Sequence, residues 1–256
     1  MKKGRHENVA PSLNKFSPEN DLSYDDLIAD IGCLFINKPY KAGTLEGSGK
    51  EKLIVNISGF DCTTFVETVL ALAKCAAAGK CSRSEFQNKL KLIRYRQGRI
   101  EGYFSRLHYF TDWVRDNERK KIVTDVSRKL GGKPLRKKID FMTDHCELYP
   151  ALKNKTQFAK MKEVEKSLSR KVFHIIGKDK INKQKTKIEN GDVIAFATNQ
   201  KGLDVAHLGF AIWQGRNLHL LHASSKENSV VISKRSLEAY LKSSKKFTGI
   251  IVVRPI

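Results

Sequence analysis

Cys62 stands where a glycine turn meets an apolar, periodic segment: Gly59-Phe60-Asp61-Cys62-Thr63-Thr64-Phe65-Val66-Glu67. Beyond it Phe65, Val66, Val69, Leu70, Leu72 and Ala73 recur at helical spacing, so the cysteine marks the start of a helix. A helix N-terminus carries partial positive charge and unpaired N–H groups. Both favour thiolate over thiol, and the thiolate is the nucleophile. The same N–H groups suit an oxyanion. Taken alone, the segment fits equally well a cysteine that only packs at the top of a core helix.

A catalytic cysteine needs a base for its proton and a group that orients the base. Of the seven histidines, two have a distinctive setting. His207 begins the run His207-Leu208-Gly209-Phe210-Ala211-Ile212-Trp213, and His222 ends Leu218-His219-Leu220-Leu221-His222. The residues between, 214–217, read as a hairpin turn. Neighbouring strands can hold two such side chains on one face within reach of each other. Strand alternation puts His222 with Leu220 and Ser224 and turns His219 the other way, toward the surface. Two histidines on adjacent strands, together with a cysteine at a helix start, point to nucleophilic acyl transfer. Asp61 and Asp192 read as caps or braces of their turns. Asp204, three residues before His207, could line the cleft or hold a turn.

The elements that must place these side chains fall into two halves. Helical periodicity covers 24–36, the cysteine helix to about 78, 84–95 and 108–119, with a short strand expected over 53–57. The C-terminal half changes to short apolar runs at 193–197, 206–213, 218–223, 230–232 and 249–253, separated by turn residues. A helix over 236–242 precedes the last run. Helices first and a meander afterwards describe an α+β domain with N-terminal helices packed on a C-terminal antiparallel sheet. The stretch 120–187 mixes strand candidates with basic helical segments and reads as an inserted basic elaboration. Residues 1–22 are polar and expected to be loosely held. The reading is therefore one catalytic domain over 23–256.

Composition narrows the class. Apolar residues make up 40% of the 256-residue chain, enough for a sizeable globular core. No apolar run approaches the roughly 18 residues of a membrane span. The start Met1-Lys2-Lys3-Gly4-Arg5-His6 is basic but is followed by no apolar stretch, so it is no signal peptide as it stands. A processed chain would look the same. The net charge of +21 implies an anionic partner. Its runs lack interleaved aromatics and any nucleic-acid signature, so no dedicated nucleic-acid role is expected. No CxxC pair and no Cys/His cluster at zinc spacing occurs among Cys33, Cys62, Cys75, Cys81 and Cys146, and neither metal nor cofactor is expected. Cys75 and Cys81 flank a glycine at a helix end and could pair in an oxidising compartment.

The ordered set of motifs resembles the papain-like NlpC-type cell-wall peptidase superfamily. Its nucleophile element, Gly-x-Asp-Cys-Ser/Thr-Gly-x-Val, matches Gly59 to Val66, with Thr64 and Phe65 departing from the usual form. Its Pro-Tyr matches Pro39-Tyr40, its Gly-Asp-Leu matches Gly191-Asp192-Val193, its His-Val-Gly-Ile matches His207-Leu208-Gly209-Phe210, and its Ile-His-Ala matches Leu221-His222-Ala223. The run from Gly102 to Trp113 and the ending from Thr248 to Pro255 resemble one branch, the bacterial N-acetylmuramoyl-L-alanine amidase-like family.

Carried over, the resemblance makes Cys62 the nucleophile, His207 the general base and acid, and His222 its orienter. The backbone N–H of Cys62 and the hydroxyl of Tyr40 would hold the oxyanion. It implies a cysteine amidase acting on bacterial peptidoglycan or muropeptides, in the periplasm or exported. The scissile bond could join muramic acid to L-alanine, or D-glutamate to the diamino acid. Arg106, His108, Asp112 and Trp113 are the candidates for substrate binding: arginine grips carboxylates, and Asp112 could hold a free amine. A basic module that binds anionic polymer without catalysis is the alternative of another class.

Overall fold

Asp61 ends an extended segment and opens the central helix. Its carboxylate accepts from Thr64 N at 2.7 Å while Thr64 Oγ1 accepts from Asp61 N at 3.0 Å. This reciprocal capping box is the physical reason for threonine at 64. The computed structural model describes residues 22–47, 49–79 and 81–256. The segment expected to be loosely held, 1–22, lies outside them apart from Leu22.

Six helices are needed to describe the site: α1 (Tyr24–Cys33), α2 (Cys62–Ala77), α3 (Arg83–Arg94), α4 (Phe110–Arg119), α5 (Lys155–Ser169) and α6 (Leu237–Lys242). Their starts follow from side-chain caps. Ser23 accepts from Asp26 N, Ser82 and Glu85 form a second capping box, and Asn154 accepts from Thr156 N and Gln157 N. α1 stops at Cys33, three residues short of the expected 36. The strand expected over 53–57 does not form. There the Ile54 carbonyl accepts from Arg94 and the Lys52 carbonyl from the Tyr95 hydroxyl, so side chains replace a strand partner.

Eight strands form one antiparallel sheet: β1 (Val123–Asp125), β2 (Lys133–Arg136), β3 (Val172–Gly177), β4 (Val193–Thr198), β5 (Val205–Gln214), β6 (Asn217–Ser224), β7 (Ser229–Ile232) and β8 (Phe247–Pro255). The order is β2-β3-β8-β4-β5-β6-β7, with β1 also on β8. The central stretch 120–187 thus supplies β1, β2 and β3, and two of these pair directly with the last strand.

Both faces of the sheet are covered, which explains continuous rather than alternating apolar runs in β4 and β8. Val193, Ala195, Ile251 and Val253 face α1 to α4 in a core that includes Phe60, Phe65, Leu70 and Phe210. Ile194, Phe196, Ile250 and Val252 face α6 through Leu237 and Leu241. A third cluster joins Tyr103, Tyr109 and Ile139 to Met161 and Leu168 of α5. α2 is buried on nearly every side, Glu67 included; Arg94 reaches Glu67 at 2.6 Å. Gly191 enters β4 with φ +75°, and a Cβ there would lie 2.5 Å from Asp25 O, so glycine lets the turn close on α1.

Candidate active site

Cys62 is the first residue of α2. Its half-buried thiol is stabilised as thiolate by the backbone N–H of Leu208, the Thr63 side chain and its own N–H. Burial and the neighbouring Asp61 carboxylate outweigh these donors and push the thiol up to about 11. The expectation of a resting thiolate at this helix start is therefore corrected. Loss of solvent costs the anion more than the helix end returns, so the thiol stays neutral until a base takes its proton.

Leu208, whose N–H reaches the thiol, follows His207 directly in β5. His207 and His222 lie on the sheet face that carries Phe196 and Leu220, and His207 Nε2 is 2.7 Å from His222 Nδ1. Their rings meet edge to face at a centroid distance of 4.8 Å. β5 and β6 pair as Phe210↔Leu221, which sets Gly209 beside His222 one step further on. A Cβ at Gly209 would sit 2.8 Å from His222 Cβ. The missing side chain leaves the room in which His207 reaches diagonally to His222. Burial pushes His207 down to about 3, helped by its neighbour, and His222 down to about 4. Both rings are neutral at neutral pH. His222 occupies the Nε2 atom of His207, which leaves Nδ1 as the nitrogen that can take up a proton.

Two tyrosines stand nearby, Tyr40 beside the thiol and Tyr240 beside the histidines. The segment of Pro39-Tyr40 is tied to the residue before Asp61: Phe60 N donates to Pro39 O at 3.0 Å and Lys41 N to Phe60 O at 2.8 Å. Tyr40 N also donates to Asn228 O. Burial and then the charge of Cys62 raise the Tyr40 hydroxyl above its ordinary value, so the phenol keeps its proton beside the thiol. Tyr240 of α6 was not singled out by the sequence. Its ring lies 5.3 Å from His222 and 6.3 Å from His207, walling off the pair. Only its place in an amphipathic helix could have drawn notice.

A cavity of about 190 Å³ adjoins the thiol, and its lining includes Cys62, Val66, His108, Phe110, Trp113 and His207. Trp113 is 3% exposed and stacks on Phe110 at 5.6 Å, yet its Nε1 has no hydrogen-bond partner. His108 Nε2 meets Tyr103 O at 2.8 Å. Burial first, then Arg106, holds His108 well below the ordinary histidine range. Asp204, also in the lining, is buried. One oxygen accepts from Thr111 N at 2.7 Å and Thr111 Oγ1 at 2.9 Å, the other from Val205 N at 2.8 Å. It thereby caps the start of α4 from 93 residues away. Glu67, the other carboxylate in the lining, is held by Arg94.

Two of the four expected substrate-binding residues lie elsewhere. Arg106 is 4% exposed and its guanidinium donates to Leu45 O at 2.7 Å and Glu46 Oε1 at 2.5 Å, with Glu51 at 3.7 Å. Asp112 accepts from both terminal nitrogens of Arg96, at 3.0 and 2.8 Å. Their charges are spent on internal partners, and neither lines the cavity. Asp192 is a brace, gripped by Arg254 at 2.9 Å. Cys75 and Cys81 are free thiols joined by a hydrogen bond, as all five cysteines are free. His219 is turned from the pair and bonds Ser233 O. Among the described residues no three His, Cys, Asp or Glu side chains converge as for a metal ion. No helix among them is long and apolar enough to cross a membrane.

A thiol beside a neutral imidazole whose far nitrogen is fixed can add to a carbonyl carbon and return its proton to a leaving amine. Comparison with known proteins gives the family. Residues 30–250 match the family model described as N-acetylmuramoyl-L-alanine amidase-like, and the chain belongs to this family. A crystal structure of an N-acetylmuramoyl-L-alanine amidase from Bacteroides uniformis shares 41% identity at a TM-score of 0.87, covering 91% of this chain and 99% of that one. A Bacteroides fragilis protein with a provisional xylanase name shares 45% identity at 0.84, over 88% and 99%. A Legionella pneumophila protein shares 26% identity at 0.71, over 96% and 94%. No curated protein sequence matches.

Proposed function

We propose that this member of the N-acetylmuramoyl-L-alanine amidase-like family is a cysteine hydrolase of the papain-like, NlpC-type class that opens an amide bond of bacterial peptidoglycan. The bond is the one joining muramic acid to L-alanine. The observation that carries the reading is the 2.7 Å link between His207 Nε2 and His222 Nδ1 beside a thiol held at the N-terminus of α2.

His207 donates Nε2–H to His222, so His207 Nδ1 is bare. It takes the Cys62 proton as Sγ adds to the carbonyl carbon. The oxyanion accepts from Cys62 N–H and the Tyr40 hydroxyl. Collapse breaks the C–N bond, and the imidazolium of His207 protonates the leaving amine. Water, deprotonated by the same Nδ1, then hydrolyses the thioester and frees the thiol. His222 acts by position: it fixes the His207 tautomer without a buried carboxylate.

Two other chemistries find less support. Glycoside hydrolysis needs two carboxylates flanking the bond, and both carboxylates in the cavity are committed to Arg94 and to the start of α4. Cleavage after D-glutamate of a stem peptide with a free amino end would call for a carboxylate to receive that amine, and Asp112 is bound to Arg96 instead. The charge of +21 suits an anionic polymer. We place the protein in the cell envelope, periplasmic or exported, with 23–256 as one catalytic domain and 120–187 as its basic elaboration.

Mass spectrometry of defined muropeptides digested with the wild type and Cys62→Ala tests this. Release of intact stem peptide from muramic acid, abolished by Cys62→Ala, is expected. Cutting at D-glutamate would move the bond. Undiminished digestion by Cys62→Ala would remove the cysteine mechanism, and no digestion by either would leave a binding module.

A further inference from the structure

A second cavity, of about 480 Å³, reaches the other histidine, His222. It shares no lining residue with the cavity beside Cys62. Its walls come from the β6–β7 turn, the link between β7 and α6, and α6 itself. They bring together three exposed cations, Lys226, Lys234 and Arg235, none with an ion-pair partner among the described residues. One carboxylate, Glu227, shares the lining, so positive charge prevails. The link is fixed, because Ser233 Oγ donates to Arg235 O at 2.7 Å and accepts from Leu220 N at 3.1 Å. Tyr240 completes the wall. Burial first, then the charges of Cys62 and Glu227, raise its hydroxyl, so this wall lies within electrostatic reach of the thiol.

His222 brings a donor to this pocket. Its Nδ1 accepts from His207, so its own proton stands on Nε2. The residue is 1% exposed, and no acceptor in the protein meets Nε2 among the described residues. Unlike Trp113 Nε1, this atom is not one of those that lack both a partner and access to solvent. Its small opening therefore faces a cavity, and the cavity that His222 lines is this basic one.

A buried N–H flanked by unpaired cations selects an anion with acceptor oxygens, and a carboxylate also suits the planar fork of Arg235. The histidine pair has no carboxylate of its own. Burial holds both rings neutral, and the nearby cations oppose any positive charge on them. A carboxylate on His222 Nε2 would answer the cations. It would also stabilise the charge that arises when His207 takes the thiol proton.

We propose that this basic pocket is a carboxylate subsite whose occupant accepts Nε2–H from His222, so that carboxylate, His222, His207 and Cys62 form one hydrogen-bonded chain. No proton leaves His222. The thiol proton still goes to His207 Nδ1, and the carboxylate acts as a fixed negative charge. This rests on the cysteine–histidine mechanism proposed above. The carboxylate is carried by the peptide part of the substrate or arrives as a free anion, and the test separates the two.

Titration of the inactive Cys62→Ala protein tests the subsite apart from cleavage. Isotope-labelled histidine side chains are followed by NMR in trifluoroacetate, which stays ionised in acid, and in chloride at equal ionic strength. Trifluoroacetate is expected to raise the acid midpoint of His222 by about one pH unit or more. Adding Lys234→Ala and Arg235→Ala together should abolish the rise, and thermal unfolding midpoints confirm that the variant is folded. Equal midpoints in the two salts would overturn the subsite, and a rise that survives the double substitution would overturn its assignment to this pocket. Cleavage by the active protein then identifies the source. Muropeptides with stem carboxylates free or converted to carboxamides are digested at neutral pH, with and without acetate. A substrate-borne carboxylate makes kcat ~10-fold higher for the free stem, with acetate rescuing the carboxamide. A free anion makes acetate accelerate both. If kcat responds to neither change, the carboxylate has no part in the reaction. Cleavage of another bond, or of none, would remove the function proposed above, and the NMR titration would still decide the subsite.

Discussion

Alanine in place of Gly209 perturbs the histidine pair without touching either histidine. The new Cβ would lie 2.8 Å from His222 Cβ, 2.8 Å from Leu221 O and 2.9 Å from Leu220 Cδ1. Ordinary contact starts at 3.4 Å, so His222 must retreat by the difference from 2.8 Å, about 0.6 Å. The obstacles are a backbone oxygen and a Cβ, which cannot swing aside as a flexible side-chain tip would. Overpacking of this kind costs about 1–3 kcal/mol. For a chain of this size each kcal/mol lowers the unfolding midpoint by about 2–4 °C, giving a fall of roughly 2–12 °C. The same retreat lengthens the His207–His222 bond from 2.7 Å to at most about 3.3 Å, where a hydrogen bond is weak. A misplacement of about 1 Å can cost ~100-fold in rate, so kcat on a muropeptide should fall ~10- to 100-fold. The assay pairs kcat, corrected for active thiol, with a thermal melt followed by circular dichroism. A lowered midpoint with kcat unchanged would refute the reasoning, because the pair's geometry would then not govern the rate.

Three further expectations concern charge. Burial pushes His207 down to about 3 and Cys62 up to about 11. The kcat/KM profile should therefore run flat through neutrality, with its acid limb well below the ordinary histidine value of about 6.5. An acid limb at that ordinary value would count against the buried neutral pair. The unfolded chain protonates these histidines near 6.5 and the folded one does not until about 3 to 4, so stability must fall as pH drops through that window. His222→Gln should make denaturation midpoints less sensitive to acid there. Arg94→Met would strand the buried Glu67 carboxylate and cost about 3–5 kcal/mol. Adding Glu67→Leu should recover much of that loss in urea titrations, and failure to recover would mean that Arg94 acts through its bond to the Ile54 carbonyl instead.

Much of this site is written in short-range pattern. Period-3.6 spacing after Cys62 and period-2 runs around His207 and His222 put each residue on the right element, because both periods report which side is buried. The hairpin joining β5 and β6 then left little freedom in where the two histidines meet. Long-range pairing was not readable. Arg106 and Asp112 have the right chemistry for substrate, but their partners Glu46 and Arg96 lie far along the chain or on another face. The thiol's resting state was misjudged because helix-end charge is a local property, whereas burial is set by the whole fold. Residues 53–57 look like a strand in composition, yet the Ile54 carbonyl is claimed by Arg94 and that of the preceding Lys52 by Tyr95. Tyr240 gave no signal, since a tyrosine on a short amphipathic helix is ordinary until the helix is seen against the sheet.

The carboxylate of Asp204 ties Thr111, two residues before Trp113, to the strand that begins at Val205 and carries His207. Cavity wall and proton acceptor therefore share one anchor and move as a unit. Reshaping the wall to admit a different substituent would tend to drag the base with it. Redesign of selectivity is then best attempted from inside the cavity, at side chains such as Val66 or Leu107, with the Asp204 clasp left whole.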